Sequence, residues 1–483
     1  MYHKYISCKF LIAVSICALI FQSCTKGFER MNTNPVTPEV VDPENVLTGA
    51  EKSASDVIYN NFVNGRVGMI YAQFYTQPQS TQAIQYLLDE SNTNNTFWGI
   101  YSNALSNLDE VVRLSTEAGN PNQVAIANIL SVWVYQVLTD AYGNVPYSAA
   151  LKGVDNLTPV YDDSKAIYDS LLNRLDQQIA QLNEANPSFG AGDVIYNGDV
   201  TKWKKLANSL KLRIGIRMVK AEPAKAQQVI ESAFKEGLIS SSSEEAYFKY
   251  SATVPDQFPF NEQSGTLTPN DYFLTATVVD FLKATDDPRL PIYARPASAS
   301  NTIIGKPYNS NQISDLSAFS YPGSAVYRPT FPGYIMSYSE VCFALAEAAA
   351  RGFNVGQPAA TYYENGVLAS MQFWGVADTV ATAYLKKIPY DQGNWVNVIG
   401  TQKWLALFNQ GLQAWFERNR LNFKNLDGSP LFVAPNGTLD PTVKMVPYRL
   451  TYPTQEASKN KANYTTAGQA IGGDTKGTRL WWQ

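Results

Sequence analysis

The chain has almost no histidine: the only one, His3, stands in the first few residues. If that leader is removed, the mature protein has no imidazole. Ser-His-Asp and Cys-His catalysis, histidine-ligated zinc and imidazole acid-base work are then excluded. Cysteine is nearly as scarce, with Cys8 and Cys17 in the leader, Cys24 at its end and Cys342 far downstream. One remaining thiol cannot build a disulfide framework, so stability has to come from a large core. Charge is sparse as well, at 17% of residues against 45% hydrophobic, which describes a globular chain. The formal net charge of −4 includes Lys4 and Lys9 of the leader, so the mature chain is more acidic still. That balance argues against nucleic acid and against a polybasic membrane patch. Past the leader, the longest apolar stretch, Val124 to Leu138, is interrupted by Asn128, Ser131 and Gln136 and reads as a core helix.

What is present begins with that leader. Lys4 and Lys9 precede an apolar run from Phe10 to Phe21, shorter than the roughly 20 residues a spanning helix needs. Gln22-Ser23-Cys24 follows at once. A small residue before a cysteine at this place resembles a relaxed bacterial lipobox, so residues 1–23 are expected to be a signal peptide and Cys24 the lipidated N-terminus. Ordinary cleavage with Cys24 incidental is the alternative. Residues 24–45 are polar and proline-rich, a tether.

Helical signals then dominate. Val124 to Tyr142 stops at Gly143-Asn144-Val145-Pro146, and Asp162 to Glu184 carries Ile167, Leu171, Leu175, Ile179 and Leu182 on one stripe. Asp199 is placed to cap a helix bearing Trp203, Leu206, Leu210 and Ile214; Pro223 opens the next and Gly237 closes it. Ser337-Tyr338-Ser339-Glu340 reads as a capping box, with Glu340 reaching back to the cap amide. Gln357-Pro358 starts a partner helix, and a further helix is expected from Thr401 to about Asn419. Helices paired through short loops are the unit of tetratricopeptide arrays. The fold class is therefore mainly α, a tetratricopeptide-like scaffold with long irregular insertions and few short strands.

Together these signatures resemble the SusD/RagB family of outer-membrane nutrient-binding lipoproteins, in its SusD-like branch. The resemblance is carried by Asn32-Thr33-Asn34-Pro35, by Thr139-Asp140-Ala141-Tyr142-Gly143-Asn144-Val145-Pro146-Tyr147 and by Trp203 through Arg217. It continues in Asp287-Pro288-Arg289, Ala346-Glu347-Ala348, Tyr363-Glu364-Asn365-Gly366-Val367, Gln413-Ala414-Trp415, Arg449-Leu450-Thr451-Tyr452-Pro453 and Leu480-Trp481-Trp482. It implies one SusD-like domain over 46–483, with the scaffold at about 46–239 and 335–426. Loop-rich excursions toward a ligand are expected at about 73–98, 240–334, 376–399 and 427–483. It further implies a lipid-anchored protein at the cell outer membrane, facing the surface, that captures oligosaccharides without cutting them. The implied partner is a SusC-like TonB-dependent barrel, to which the ligand is delivered. Peptide capture in the manner of the RagB branch is the alternative within the class. A surface glycosidase and a protein-binding helical scaffold are alternatives outside it. No cofactor or metal is expected, and calcium is not legible in the sequence.

Aromatics make up 12% of the chain, and flat rings stack on the C–H faces of sugars while amides meet hydroxyls. The run from Gln73 to Trp98 interleaves the two types most densely. Tyr75, Tyr86 and Trp98 are the first ligand candidates, with Gln73, Gln77 and Asn95 as polar partners. Tyr272, Tyr321, Tyr327 and Trp395 are added from the other irregular stretches. For each, packing in the core is the competing use. Trp481-Trp482 reads as packing that pins the terminus, Asp286-Asp287-Pro288-Arg289 as a turn, and Glu347 with Arg351 as an i,i+4 pair.

Overall fold

The computed structural model describes residues 41–77, 82–88, 96–261, 271–308, 315–435 and 440–483. The leader, Cys24, most of the tether and Asn95 lie outside these. Pro43–Gln483 form one contact unit.

Local signals set most helix boundaries. Helix α1 runs Pro43–Tyr59 and is followed by a π-helical segment, Asn61–Met69, capped by Asn60. A second π-helical segment, Ile100–Leu105, leads into α2, Ser106–Glu117. Helix α3, Pro121–Tyr142, is capped by Asn120 and ends at Gly143, whose positive φ of 85° continues the chain where a side chain would be strained. Helix α4 runs Ser164–Gln181, capped by Asp163, and α5 runs Val200–Met218, capped by Asp199. Helix α6, Pro223–Glu236, opens on proline and closes on Gly237. After two short helices, α7 Ala276–Ala284 and α8 Leu290–Tyr293, come α9 Tyr338–Ala350 and α10 Ala359–Phe373. The series ends with α11 Asp378–Leu385, α12 Trp395–Ala406, α13 Gly411–Leu421, α14 Glu456–Lys459 and α15 Lys461–Ala470.

Sequential helices pack in pairs: α2 on α3, α3 on α4, α5 on α6, α9 on α10, α12 on α13. Helix α3 is long and apolar enough to cross a membrane, yet it is buried among these neighbours on nearly every face. Two antiparallel strand pairs complete the regular structure. Strand β1, Tyr75–Thr76, pairs with β3, Phe273–Leu274; β2, Ala246–Phe248, pairs with β4, Gly333–Met336.

Four expectations need correction. The helix expected from Thr401 to Asn419 is two helices, broken at Leu407–Gln410, where Asn409 takes a left-handed φ of 69°. Its side chain donates to the Val326 carbonyl at 3.1 Å and accepts from Asn64, so tertiary bonds hold a break that local propensity would have filled. Residues 376–399 contain α11 and the start of α12, and the C-terminal segment contains α15. Ser337 caps α9, but Glu340 does not return to the cap: its carboxylate receives two bonds from Arg213, both at 2.7 Å. A buried arginine outcompetes the cap amide for that carboxylate because a charge-assisted bidentate pair is the stronger bond.

Trp482 is buried beneath Phe416 and Arg217, and Trp481 meets the Tyr168 ring edge-on at 5.0 Å. The C-terminus is thereby pinned to the scaffold.

Candidate functional site

Gln73 ends the turn after the first π-helical segment with a positive φ of 57°, and the chain then enters β1. Pairing of β1 with β3 brings in residues 273–274, and Thr275, capping α7, starts that helix directly beside Gln73. The Gln73 amide next works as a clamp. Its Nε2 donates to the Val433 carbonyl at 2.6 Å, while its Oε1 accepts from the Val433 amide at 3.1 Å and the Thr277 hydroxyl at 3.2 Å. One buried side chain thus ties α7 to the distant 425–433 loop.

Between the two lies a cleft of about 560 Å³. Helix α7 lines it with Ala276, Thr277, Asp280, Phe281 and Ala284, residues that its period places on one face, and Thr285 follows at the helix end. The opposite wall is Asn425, Leu426, Asp427, Leu431 and Val433, and Pro307 and Tyr308 close one end. Asp427 shapes its wall through an Asx turn, accepting from the Ser429 amide and hydroxyl. Those bonds hold its carboxyl below the usual range, so at neutral pH it is a hydrogen-bond acceptor and not a proton donor. Tyr308 is fixed from behind: its hydroxyl donates to the Tyr86 hydroxyl at 3.2 Å, which itself donates to the Met445 carbonyl at 2.8 Å.

The lining combines apolar surface with two carboxylates, an amide and two threonine hydroxyls, and includes no lysine or arginine. Such a surface suits a neutral ligand with C–H faces and many hydroxyls, and it disfavours anions. No group of three histidine, cysteine, aspartate or glutamate side chains with metal-binding spacing occurs among the described residues.

The sequence candidates fall elsewhere, and the structure separates the described ones into four sets. Gln73 and Tyr86 are buried behind the cleft walls and support them without facing the open space. Tyr75, Tyr272 and Tyr327 are buried around Phe260, with the Tyr75 and Tyr272 rings 5.4 Å apart. These five have no surface to offer a ligand in this conformation; large rings near a sheet seam gain more from apolar burial than from exposure. Gln77, Tyr321 and Trp395 are half-buried, Tyr321 against Phe273 and Trp395 under Arg351. Trp98 alone of the aromatic candidates is exposed, at 38%, with the Lys459 ammonium 5.6 Å from its ring centre. Sequence reasoning missed Thr277, Asp280, Thr285, Tyr308, Asn425 and Asp427. The signal for α7 was a polar face at positions 277, 280 and 285 on an otherwise apolar helix.

A paired-helix scaffold carrying a cleft without cationic side chains in its lining, between a short helix and loops, defines the class: a helical binding protein. Residues 35–453 match the profile of a SusD-like family described as starch-binding and associating with the outer membrane, and the chain belongs to that family. No curated protein matches the sequence. Among solved structures, a chitin-binding protein is 28% identical, with a TM-score of 0.82 over 91% of this chain and 99% of its own. A SusD homologue from Bacteroides uniformis is 26% identical, with a TM-score of 0.76 over 90% and 99%. A chitin-binding SusD homologue from Flavobacterium johnsoniae, at 23% identity and a TM-score of 0.79 over 91% and 98%, shares the fold.

Proposed function

We propose that this protein captures neutral oligosaccharides at the outer membrane in the cleft beside α7 and hands them, uncut, to a SusC-like TonB-dependent barrel. The observation that carries the reading is the cationless lining, in which Asp280, Asp427, Asn425, Thr277 and Thr285 surround an apolar floor. The family description and the chitin-binding relative point to the same ligand class. Lipid attachment through Cys24 would keep the cleft at the membrane, close to such a barrel. Trp98, with its exposed face, is an outlying contact for longer chains.

The test is calorimetric titration of the chain lacking its leader and Cys24 with starch-derived and chitin-derived oligosaccharides and with mixed peptides. Each recovered ligand is checked for cleavage. Intact neutral glycan should bind, and Ala284→Trp, which fills the cleft from an exposed helix position, should abolish that binding while the helical circular dichroism is unchanged. Binding of peptides alone, or a cleaved product, would overturn the reading.

A further inference from the structure

A second pocket, of about 260 Å³, opens in the helical scaffold where α2, α3, α4 and the turn after α3 meet. Helix α3 contributes Asn128, Ser131 and Tyr135, one face at helical spacing; α4 contributes Arg174, and the turn contributes Tyr147 and Lys152.

The polar groups here are poised rather than satisfied. Tyr135 is 3% exposed and its ring meets Tyr147 edge-on at 4.7 Å, and its hydroxyl, in the pocket lining, makes no hydrogen bond among the described residues. The Arg174 guanidinium lies 5.3 Å over the Tyr147 ring, engages that residue's hydroxyl and forms no ion pair among the described residues, although the fork it presents is shaped for a carboxylate. Asn128 donates its Nδ2 to the Val124 carbonyl at 2.8 Å and Ser131 its hydroxyl to Ala127, which leaves both side-chain oxygens as acceptors. Asp162, the nearby acid, is engaged by the Tyr147 and Ser148 amides and the Ser148 hydroxyl. Asp109 stands exposed at the mouth.

We infer that this pocket is a second ligand site, taking one acidic monosaccharide unit: a hexuronate whose carboxylate pairs with Arg174 and Lys152. The volume falls below the roughly 300–1,000 Å³ of pockets for drug-sized ligands, which limits the occupant to about one ring. Arg174 and Lys152 supply the cations that the α7 cleft lacks. The Tyr135 hydroxyl, Asn128 Oδ1 and Ser131 Oγ are left for sugar hydroxyls, and the Tyr147 ring gives an apolar wall. Asp109 selects against a second carboxylate.

The experiment is titration of the leaderless chain with glucuronate and with glucose, followed by saturation-transfer NMR. Glucuronate should bind about tenfold or more tightly than glucose, as expected for a charge-assisted pair. Arg174→Gln should remove that preference. Tyr135→Phe deletes a hydroxyl with no internal partner, so it should weaken glucuronate several-fold while leaving the melting midpoint unchanged or higher. Ala284→Trp, which blocks the other cleft, should leave glucuronate binding intact even if neutral glycan binding never existed. Absence of glucuronate binding, a preference that survives Arg174→Gln, or loss in Ala284→Trp would each overturn the assignment.

Discussion

The scaffold interior and the cleft are held together by different chemistry. Inside the scaffold, charged groups from five helices meet. Arg217 of α5 reaches Asp140 of α3 at 3.2 Å, Glu417 of α13 at 2.6 Å and the Gln413 oxygen at 2.9 Å. Arg420 joins Glu347 of α9 to Glu417, and Lys403 of α12 stands 3.1 Å from Glu417. All are nearly or fully buried. Around the cleft the ties that join its walls, the Gln73 amide and the Tyr86–Tyr308 hydroxyl pair, are uncharged, with the Arg418 guanidinium set behind them over the Phe432 ring and Lys476 on the Tyr86 carbonyl. A buried ionic network adds little net stability compared with apolar packing, but it tolerates no missing member. It therefore fixes which helices meet and in what register. Neutral clamps can loosen at smaller cost, which suits walls that must admit a ligand.

The difference is broken most severely by Glu417→Ala, which strands Arg217, Lys403 and Arg420 without their shared carboxylate. We expect a loss of about 3–5 kcal/mol, read from urea denaturation, because an uncompensated buried charge remains. A loss no larger than that of a surface variant would show that the network is solvated and the comparison false. Acid sharpens the same point. Burial alone would raise Glu417, but Arg420, Lys403 and Arg217 hold it well below the ordinary glutamate value of 4.5; Glu347 is likewise lowered against burial, by Arg420 and Arg351. For carboxyls depressed in the folded state, the stabilisation is fully present above the unfolded value and disappears as pH falls through the folded one. Asp140 acts oppositely, since burial raises it despite Arg217 and Tyr168, so its ionised form costs stability as pH rises. Denaturation midpoints should fall below about pH 4.5 in the native chain and fall less steeply in Glu417→Gln. Equal slopes would remove Glu417 from the acid limb.

The two regions also differ in how much of them a sequence reader can see. Helix starts such as Asp199, Pro223 and Ser337 rest on contacts within a few residues, and each stands where its local signal puts it. The break at Asn409 and the diversion of Glu340 to Arg213 depend on groups distant in sequence, and nothing local reports them. The cleft is assembled the same way. Its walls come from residues 276–285, 307–308 and 425–433, and the β1–β3 pairing, the Thr275–Lys306 bridge and the Gln73 clamp, all between residues distant in sequence, bring them together. Of the candidates in the aromatic- and amide-rich run at 73–98, Gln73 and Tyr86 brace the cleft walls from behind and do not touch its space.

A smaller effect is expected from Gln73→Ala. It releases Val433 and Thr277 together and removes three hydrogen bonds, but Val433 is exposed and water can take up its amide and carbonyl, so the cost should be about 1 kcal/mol. Because the lost ties run between the cleft walls, neutral-glycan affinity should drop alongside thermal stability, whereas glucuronate binding at the α2–α4 pocket should not change. If both ligands weaken together, the damage is global and the clamp is not specific to the cleft.

The smallest change in stability belongs to Trp98→Ala. The exposed ring has Lys459 at 5.6 Å, and a cation–π contact at such a site contributes about 0.5–1 kcal/mol, so the melting midpoint should shift little. Trp98 does not line the cleft, so any role in binding must come from a chain long enough to extend beyond it. The substitution should therefore spare short oligosaccharides and weaken long ones, since stacking on one ring adds contact only for units that reach it. Calorimetry across a length series separates the cases: a loss that grows with length makes Trp98 a platform, and equal affinities at every length remove it from the site.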